Sequence, residues 1–147
     1  MLKVITVILM YLITIVSFAQ ESKKSIKNRD HSVTAIIKNV SSDKGTVRFA
    51  IYNSEENYLK REFVAAKSSE IKNGVAQVTF SGLEPSTYAI ICYHDENENK
   101  MLDFQQNGMP TEDYGATNNV FVFGPPQFND AKFELKDKDL TFEIKFM

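Results

Sequence analysis

The sequence predicts an all-β domain: a single antiparallel β-sandwich of about seven strands with at most one short helix. Three observations support this prediction. Apolar residues recur at every second position in several segments, turn-forming residues separate those segments, and helical periodicity is almost absent. With 147 residues and 43% hydrophobic content, the chain can build one core between two sheets.

Two strands are predicted near the start of the domain, at residues 32–40 and 45–53, where β-branched and apolar residues are frequent. In the second strand, Val47, Phe49 and Ile51 fall on one face, as expected when one side of a strand packs in the core. Serine, aspartate and glycine between the strands predict a turn.

One short helix is predicted after the second strand. Ser54 is a favourable N-cap residue, and Glu55 and Glu56 suit the positive end of the helix dipole. The helix is expected to have one or two turns at most.

Two central strands are predicted at residues 74–80 and 86–94. Asn73 and Gly74 predict a type I′ hairpin turn, because both central residues of that turn need positive φ. The second strand is continuously apolar in its middle, which predicts a strand covered on both faces.

The chain ends with two predicted strands, at residues 131–135 and 140–147, which we expect to form a final hairpin. The Gly-Pro-Pro sequence at 124–126 predicts a break before them, because proline does not fit a central strand. Apolar residues alternate with polar ones in the last strand, which predicts one buried face. These apolar residues are Leu140, Phe142, Ile144 and Phe146.

The N-terminus is typical of a secretory signal peptide. A lysine near the start, an apolar run ending at Phe18 and a small residue at Ala19 predict cleavage before Gln20. An uncleaved anchor is the alternative, but the apolar run is shorter than the roughly 20 residues that span a bilayer. We therefore expect an exported protein of the periplasm, cell surface or extracellular space, without a stable membrane span after cleavage. The predicted organisation is a signal peptide at 1–19, a flexible leader at 20–31 and a sandwich domain at 32–147.

The charge and cysteine content exclude some functions. A formal charge of −2 and the lack of any basic stripe argue against a nucleic-acid partner. Cys92 is the single cysteine, so no intrachain disulfide can form. It is expected to be a small buried apolar residue. The alternative is a nucleophile paired with His94, which shares its strand face.

The segment HDENENKMLD, residues 94–103, has oxygen-bearing side chains at alternating positions. If Asp95 is position 1, oxygen ligands fall at positions 1, 3, 5, 7 and 9 of an EF-hand-type calcium loop, position 7 supplying a backbone carbonyl. Calcium suits such oxygen ligands better than zinc or copper does. The candidate metal ligands are Asp95, Asn97, Asn99, Met101 through its carbonyl, Asp103 and a more distant Glu112, with Asp113 as an alternative to the last.

Two residues depart from the EF-hand pattern. Lys100 stands where the sharp turn favours glycine, and Gln106 stands where a bidentate glutamate belongs. The chain is therefore not an EF-hand, and any affinity for calcium is expected to be weak, on the order of 10⁻⁴–10⁻³ M. The alternative is a solvated acidic loop whose Asn and Asp side chains cap their own backbone. Segments 94–106 and 108–119 are expected to touch at one end of the sandwich, with Glu112 reaching the acidic loop.

Three segments together resemble the family of exported bacterial proteins called DUF2141: YAIICYHDENENKMLD, GMPTEDYGATNN and FGPPQFNDAKFEL. The resemblance extends over about residues 33–146. Ser86, Lys100 and Asp113 depart from the family pattern. The resemblance implies export and a sandwich of the transthyretin-like or Ig-like kind, and it implies no reaction. The matching positions are His94, Asp95, Asn97, Asn99, Leu102, Asp103, Gly108, Pro110, Glu112, Tyr114, Gly115 and Asn118.

Three functions remain open from the sequence. The first is a non-catalytic exported module that binds calcium and an unknown protein or glycan partner in the envelope. The second is a hydrolase-type enzyme that uses His94 with Asp95, Asp103 or Glu112 as general acid or base. The third is a purely structural envelope protein.

Overall fold

A computed structural model describes residues 30–120, 124 and 126–147. The predicted signal peptide at 1–19 and nearly all of the predicted leader lie outside the described residues. The strands are β1 (His31–Ile37), β2 (Thr46–Tyr52), β3 (Ala65–Glu70), β4 (Ala76–Leu83), β5 (Ser86–Asp95), β6 (Tyr114–Ala116), β7 (Phe133–Leu135) and β8 (Leu140–Ile144). The helices are α1 (Glu55–Lys60), a 3-10 turn (Thr117–Asn119) and α2 (Phe128–Ala131).

The strands form two sheets, which confirms the predicted all-β sandwich. One sheet has the order β4-β1-β8, and the other has the order β3-β2-β5-β6, with β7 also paired to β5. Every strand pairing is antiparallel except that of β1 with β8, which is parallel. The two last strands belong to different sheets, so the expectation of a final hairpin was wrong. Alternation of apolar residues defines the buried face of a strand, and it does not define the strand's partner or direction.

The core lies between the two sheets and follows the predicted alternation. Val47, Phe49 and Ile51 of β2 are fully or almost fully buried. In β8 the burial is uneven: Ile144 is buried, whereas Leu140 is only partly buried. Burial of these side chains is the main favourable contribution to folding.

The strand β5 is covered on both faces, as its sequence predicts. One face contributes to the main core, and the other lies beneath the helical segments. That second face packs in a smaller cluster. The buried members of this cluster are Tyr52, Ala89, Ala116, Phe128 and Ala131.

Two short helices flank this cluster, one more than the sequence predicts. Helix α1 begins after Ser54, whose side chain accepts a hydrogen bond from the backbone N–H of Asn57. This cap confirms the predicted helix start. Helix α2 is a single turn whose Phe128 and Ala131 are buried, so tertiary packing rather than an N-cap holds it.

The turn at Asn73 and Gly74 also forms as predicted. Both residues have positive φ, at 54° and 73°. Lys72 and Val75 exchange backbone hydrogen bonds across it. The carboxylate of Asp43 accepts hydrogen bonds from the N–H groups of both turn residues.

Side chains, rather than backbone pairing, close the side of the sandwich where β3 faces β4. The Ser69 hydroxyl accepts a hydrogen bond from the Gln77 N–H at 3.1 Å. The Lys67 ammonium donates to the Thr79 carbonyl oxygen and lies 5.8 Å from the centroid of the Phe80 ring. The outward polar groups of β4 at these two positions are therefore satisfied within the chain.

Two asparagine side chains hold the last strand. Asn39 pairs with both the N–H and the carbonyl oxygen of Phe146. On the other edge, Asn119 accepts from the Lys145 N–H and donates to the Glu143 carbonyl oxygen. These amide groups extend the hydrogen-bond ladder of the last strand through residues 143–146.

Candidate metal centre in the loops after strand β5

The candidate loop begins at a fixed point, because Asp95 is the last residue of β5. Asp95 lies opposite Thr46 of β2 and is 1% exposed. Gly45, which has φ +67°, packs against its backbone so closely that a Cβ atom there would lie 2.1 Å from the Asp95 carbonyl oxygen. The first residue of the loop is therefore positioned by the sheet and by a residue that must be glycine.

The two carboxylate oxygens of Asp95 have different surroundings. Oδ2 accepts a hydrogen bond from the Lys100 N–H at 3.0 Å and lies 3.9 Å from Nη1 of Arg48. Oδ1 is buried and has no hydrogen-bond partner among the residues that the structure describes. Such an oxygen is unusual, because a buried carboxylate loses hydration that hydrogen bonds or a cation must replace.

The loop backbone is folded by two successive Asx turns. The Asn97 side-chain oxygen accepts from the Asn99 N–H at 3.0 Å, and the Asn99 side-chain oxygen accepts from the Met101 N–H at 2.8 Å. Glu98 and Lys100 adopt left-handed backbone, with φ of 59° and 67°. The sharp turn thus forms at Lys100, although its sequence position favours glycine in an EF-hand.

The side chains of Asn97, Asn99 and Asp103 converge. The Asn97 amide nitrogen donates to Asp103 Oδ2 at 2.7 Å, and the Asn99 amide nitrogen lies 2.9 Å from each Asp103 oxygen. The Asp103 carboxylate is therefore hydrogen-bonded by the amide N–H groups of Asn97 and Asn99. Each amide oxygen holds one backbone N–H and retains a second lone pair.

The remaining predicted ligands are placed differently. Glu112 accepts backbone hydrogen bonds from Glu96 through Oε1 and from Asp103 through Oε2, both at 3.2 Å. It joins the two loop segments and does not contact the amides of the convergent group. Met101 donates its N–H to Asn99, while its side chain is exposed.

The two loop segments touch, as the sequence indicates. Besides the Glu112 contacts, the His94 N–H donates to the Asp113 carbonyl oxygen and the Thr111 N–H donates to the Asp103 carbonyl oxygen. In residues 30–120, 124 and 126–147, no three His, Cys, Asp or Glu side chains converge as a metal-binding group. The candidate set is therefore mixed, with two carboxylates, two amides and backbone, all of them oxygen donors that suit a hard cation.

His94 and Cys92, the central residues of the two catalytic alternatives, are held inside the fold. His94 is 2% exposed, its Nε2 lies 2.7 Å from the Lys44 carbonyl oxygen, and its ring stacks on Phe146. Cys92 is fully buried, its thiol donates to the Gly115 carbonyl oxygen, and burial raises its pKa. Each group is thus engaged with a backbone carbonyl, which disfavours a solvent-facing acid, base or nucleophile.

Sequence reasoning missed the residues that surround the loop from another part of the chain. Arg48 reaches Asp95 from β2, and the hydroxyls of Ser41 and Ser42 donate to Asp113 and Glu96. The alternation of β2 places Arg48 on the outer face, but only the register of β2 with β5 brings it to the loop.

The fold and the loop define an all-β sandwich with an asparagine- and aspartate-rich site at the end of a central strand. The family model described as "Uncharacterized protein conserved in bacteria (DUF2141)" matches residues 36–143, and the chain belongs to this family. Searches of curated proteins and of solved structures gave no match. Within the described ranges, no helix has the length and apolar character needed to cross a bilayer.

Proposed function

We propose that this protein is an exported, non-catalytic β-sandwich module that binds a calcium ion through residues 95–103 and contacts a protein or glycan partner in the bacterial envelope. The observation that carries the proposal is the buried Asp95 Oδ1, which lacks a hydrogen-bond partner among the described residues. A divalent cation beside this oxygen would offset the cost of burying the carboxylate.

The proposed ligands are Asp95, Asn97, Asn99, the Met101 carbonyl and Asp103. Asn97 and Asn99 already meet Asp103 through their amide nitrogens. Coordination through their oxygens would replace these hydrogen bonds and the Asx-turn bonds to Asn99 and Met101. Glu112 is given a positioning role, because both of its oxygens accept backbone N–H groups. The site has only two carboxylates, and Gln106 stands where an EF-hand has a bidentate glutamate. The calcium dissociation constant is therefore expected to be on the order of 10⁻⁴–10⁻³ M.

Thermal unfolding with calcium and with chelator tests the proposal. If the affinity lies in that range, about 10 mM calcium should stabilise the native state by about 1–3 kcal/mol. The unfolding midpoint should then rise by roughly 4–10 °C. Magnesium at the same concentration should have a smaller effect, because it requires a tighter octahedral site.

Two matched variants make the test specific to the loop. Asp95→Asn and Asp103→Asn should each abolish most of the calcium-dependent shift. Asp137→Asn makes the same chemical change at an exposed aspartate between β7 and β8 and should keep the shift. A wild-type midpoint that is equal in calcium and in chelator would contradict the calcium proposal.

An equal unfolding midpoint in calcium and in chelator would favour a purely structural loop. The pair of Asx turns supports this alternative, because the loop side chains already satisfy backbone N–H groups. In that case each loop variant should lose the same stability in calcium as in chelator. The three variants are Asp95→Asn, Asp103→Asn and Asn99→Ala.

A further inference from the structure

Arg48 is a strand residue that lies beside the candidate site. It projects from the outer face of β2, and its Nη1 lies 3.9 Å from Asp95 Oδ2. The Arg48 side chain is 29% exposed, whereas that of Asp95 is 1% exposed. The guanidinium therefore has access to solvent while it neutralises a carboxylate that has almost none.

The strand register fixes this arrangement. Arg48 lies directly opposite Tyr93 of β5, two residues before Asp95 on the same face. Arg48 and Asp95 are therefore diagonal neighbours on one face of the paired strands.

We propose that Arg48 is a built-in counter-cation that competes with the metal ion for Asp95 and thereby sets the calcium threshold of the site. This inference rests on the proposed calcium-binding function. Without the ion, the guanidinium partly offsets the buried negative charge. With the ion bound, the divalent charge repels the guanidinium, so part of the binding free energy is lost.

The surroundings give Arg48 room to leave Asp95. A cavity of about 310 Å³ adjoins both side chains on the outer face of the sheet. Glu98 lines the same cavity and offers an exposed carboxylate as an alternative partner for the guanidinium. Displacement of Arg48 therefore requires side-chain rotation and no movement of β2. The cavity is lined by Thr46, Arg48, Ser68, Asp95, Glu98 and Lys100.

Calorimetric titration of the full protein with calcium chloride tests the proposal. Arg48→Gln should bind calcium roughly fivefold or more tightly than the wild type, a ratio typical of coupling between interacting sites. Its unfolding midpoint in chelator should be lower than that of the wild type, because Asp95 loses its counter-charge. The calcium-dependent rise of the midpoint should be larger.

Arg61→Gln is the matched control, since it removes the same charge from an exposed residue at the C-terminal end of α1. It should leave the calcium affinity unchanged. Arg48→Lys keeps a positive charge and should bind calcium within about twofold of the wild type. If Arg48→Gln does not fold in chelator, Arg48→Met provides the neutral variant, because it preserves the apolar stem.

The possible outcomes separate the two proposals. Calcium binding by the wild type with no tighter binding by the neutral Arg48 variants overturns the role of Arg48 and leaves the calcium site intact. If Arg48→Lys binds calcium as tightly as Arg48→Gln and more tightly than the wild type, the role of Arg48 is also overturned. The positive charge would then not be what weakens calcium binding. Absence of binding by every variant overturns the calcium site and, with it, the role of Arg48.

Discussion

Lys100 shows how a single residue can take over the backbone role of a glycine. Its φ of 67° lies in the left-handed region, and its N–H donates to the buried Asp95 carboxylate. A side chain in that region costs about 1–2 kcal/mol relative to glycine. The turn uses the backbone N–H of Lys100, whereas the residue is exposed. The conformational cost therefore lies in the backbone.

Lys100→Gly should stabilise the ion-free protein by about 0.5–1 kcal/mol, since relief of the backbone strain exceeds the added flexibility of the unfolded chain. Urea unfolding in the presence of chelator measures this change. Lys100→Ala removes the same charge but keeps a Cβ atom, so it should not reproduce the gain. Equal stabilisation by glycine and alanine would assign the effect to charge instead of backbone conformation.

The candidate site was predictable from the sequence at the level of residue spacing. Alternation of oxygen-bearing residues singled out Asn97, Asn99 and Asp103, and the side chains of these three residues meet within one local turn. The spacing could not show that the amide nitrogens of Asn97 and Asn99, rather than their oxygens, face Asp103. Nor could it assign Glu112 to backbone N–H groups, since that contact depends on how two loop segments meet.

At the scale of elements, the last strand depends on side-chain amides at both of its edges. Asn39 and Asn119 each supply one donor and one acceptor to backbone groups of residues 143–146. Asparagine can mimic a peptide group in this way because its side chain carries the same donor and acceptor pair.

Asn39→Ala should destabilise the protein by about 1–3 kcal/mol, because it leaves the backbone N–H and carbonyl group of Phe146 without their protein partners. Urea unfolding at constant pH measures the loss. Asn39→Asp keeps an acceptor for the N–H but removes the donor, so its loss should be intermediate. An unchanged unfolding midpoint for Asn39→Ala would show that the C-terminal strand is held without this amide.

The regular strands were predictable where apolar alternation is sustained, as in β2, β4 and β8. The remaining elements lack that signal. Strand β3 is AAKSSE, a mostly polar edge strand, and β6 is only three residues long. Helix α2 is a single turn held by burial. Such elements are defined by their neighbours in space, so a local pattern cannot reveal them.

At the scale of the whole molecule, the loops that follow β1, β3 and β5 meet. Asp43 caps the turn at Asn73 and Gly74, while Ser41 and Ser42 reach the two acidic segments. Binding residues commonly concentrate in loops that a rigid sheet positions. Within the described ranges this end also carries the buried Asp95, which is why we assign the proposed function to it.

If the protein is exported as proposed, its mature N-terminus should be Gln20. Mass spectrometry of the protein recovered from the envelope or the medium measures this directly. Ala19→Arg places a large charge at the predicted cleavage position and should leave the precursor uncut. Recovery of an intact chain that begins at Met1 from the wild-type protein would contradict export by cleavage.

The side-chain closure between β3 and β4 has a consequence for contacts between molecules. An exposed strand edge is a template on which a foreign strand can add. Here a strand approaching β4 would first have to displace the Lys67 ammonium and the Ser69 hydroxyl from the backbone groups they occupy. It would also have to accommodate a buried or displaced positive charge. Lys67 and Ser69 therefore disfavour the addition of a strand from another molecule to this edge of β4.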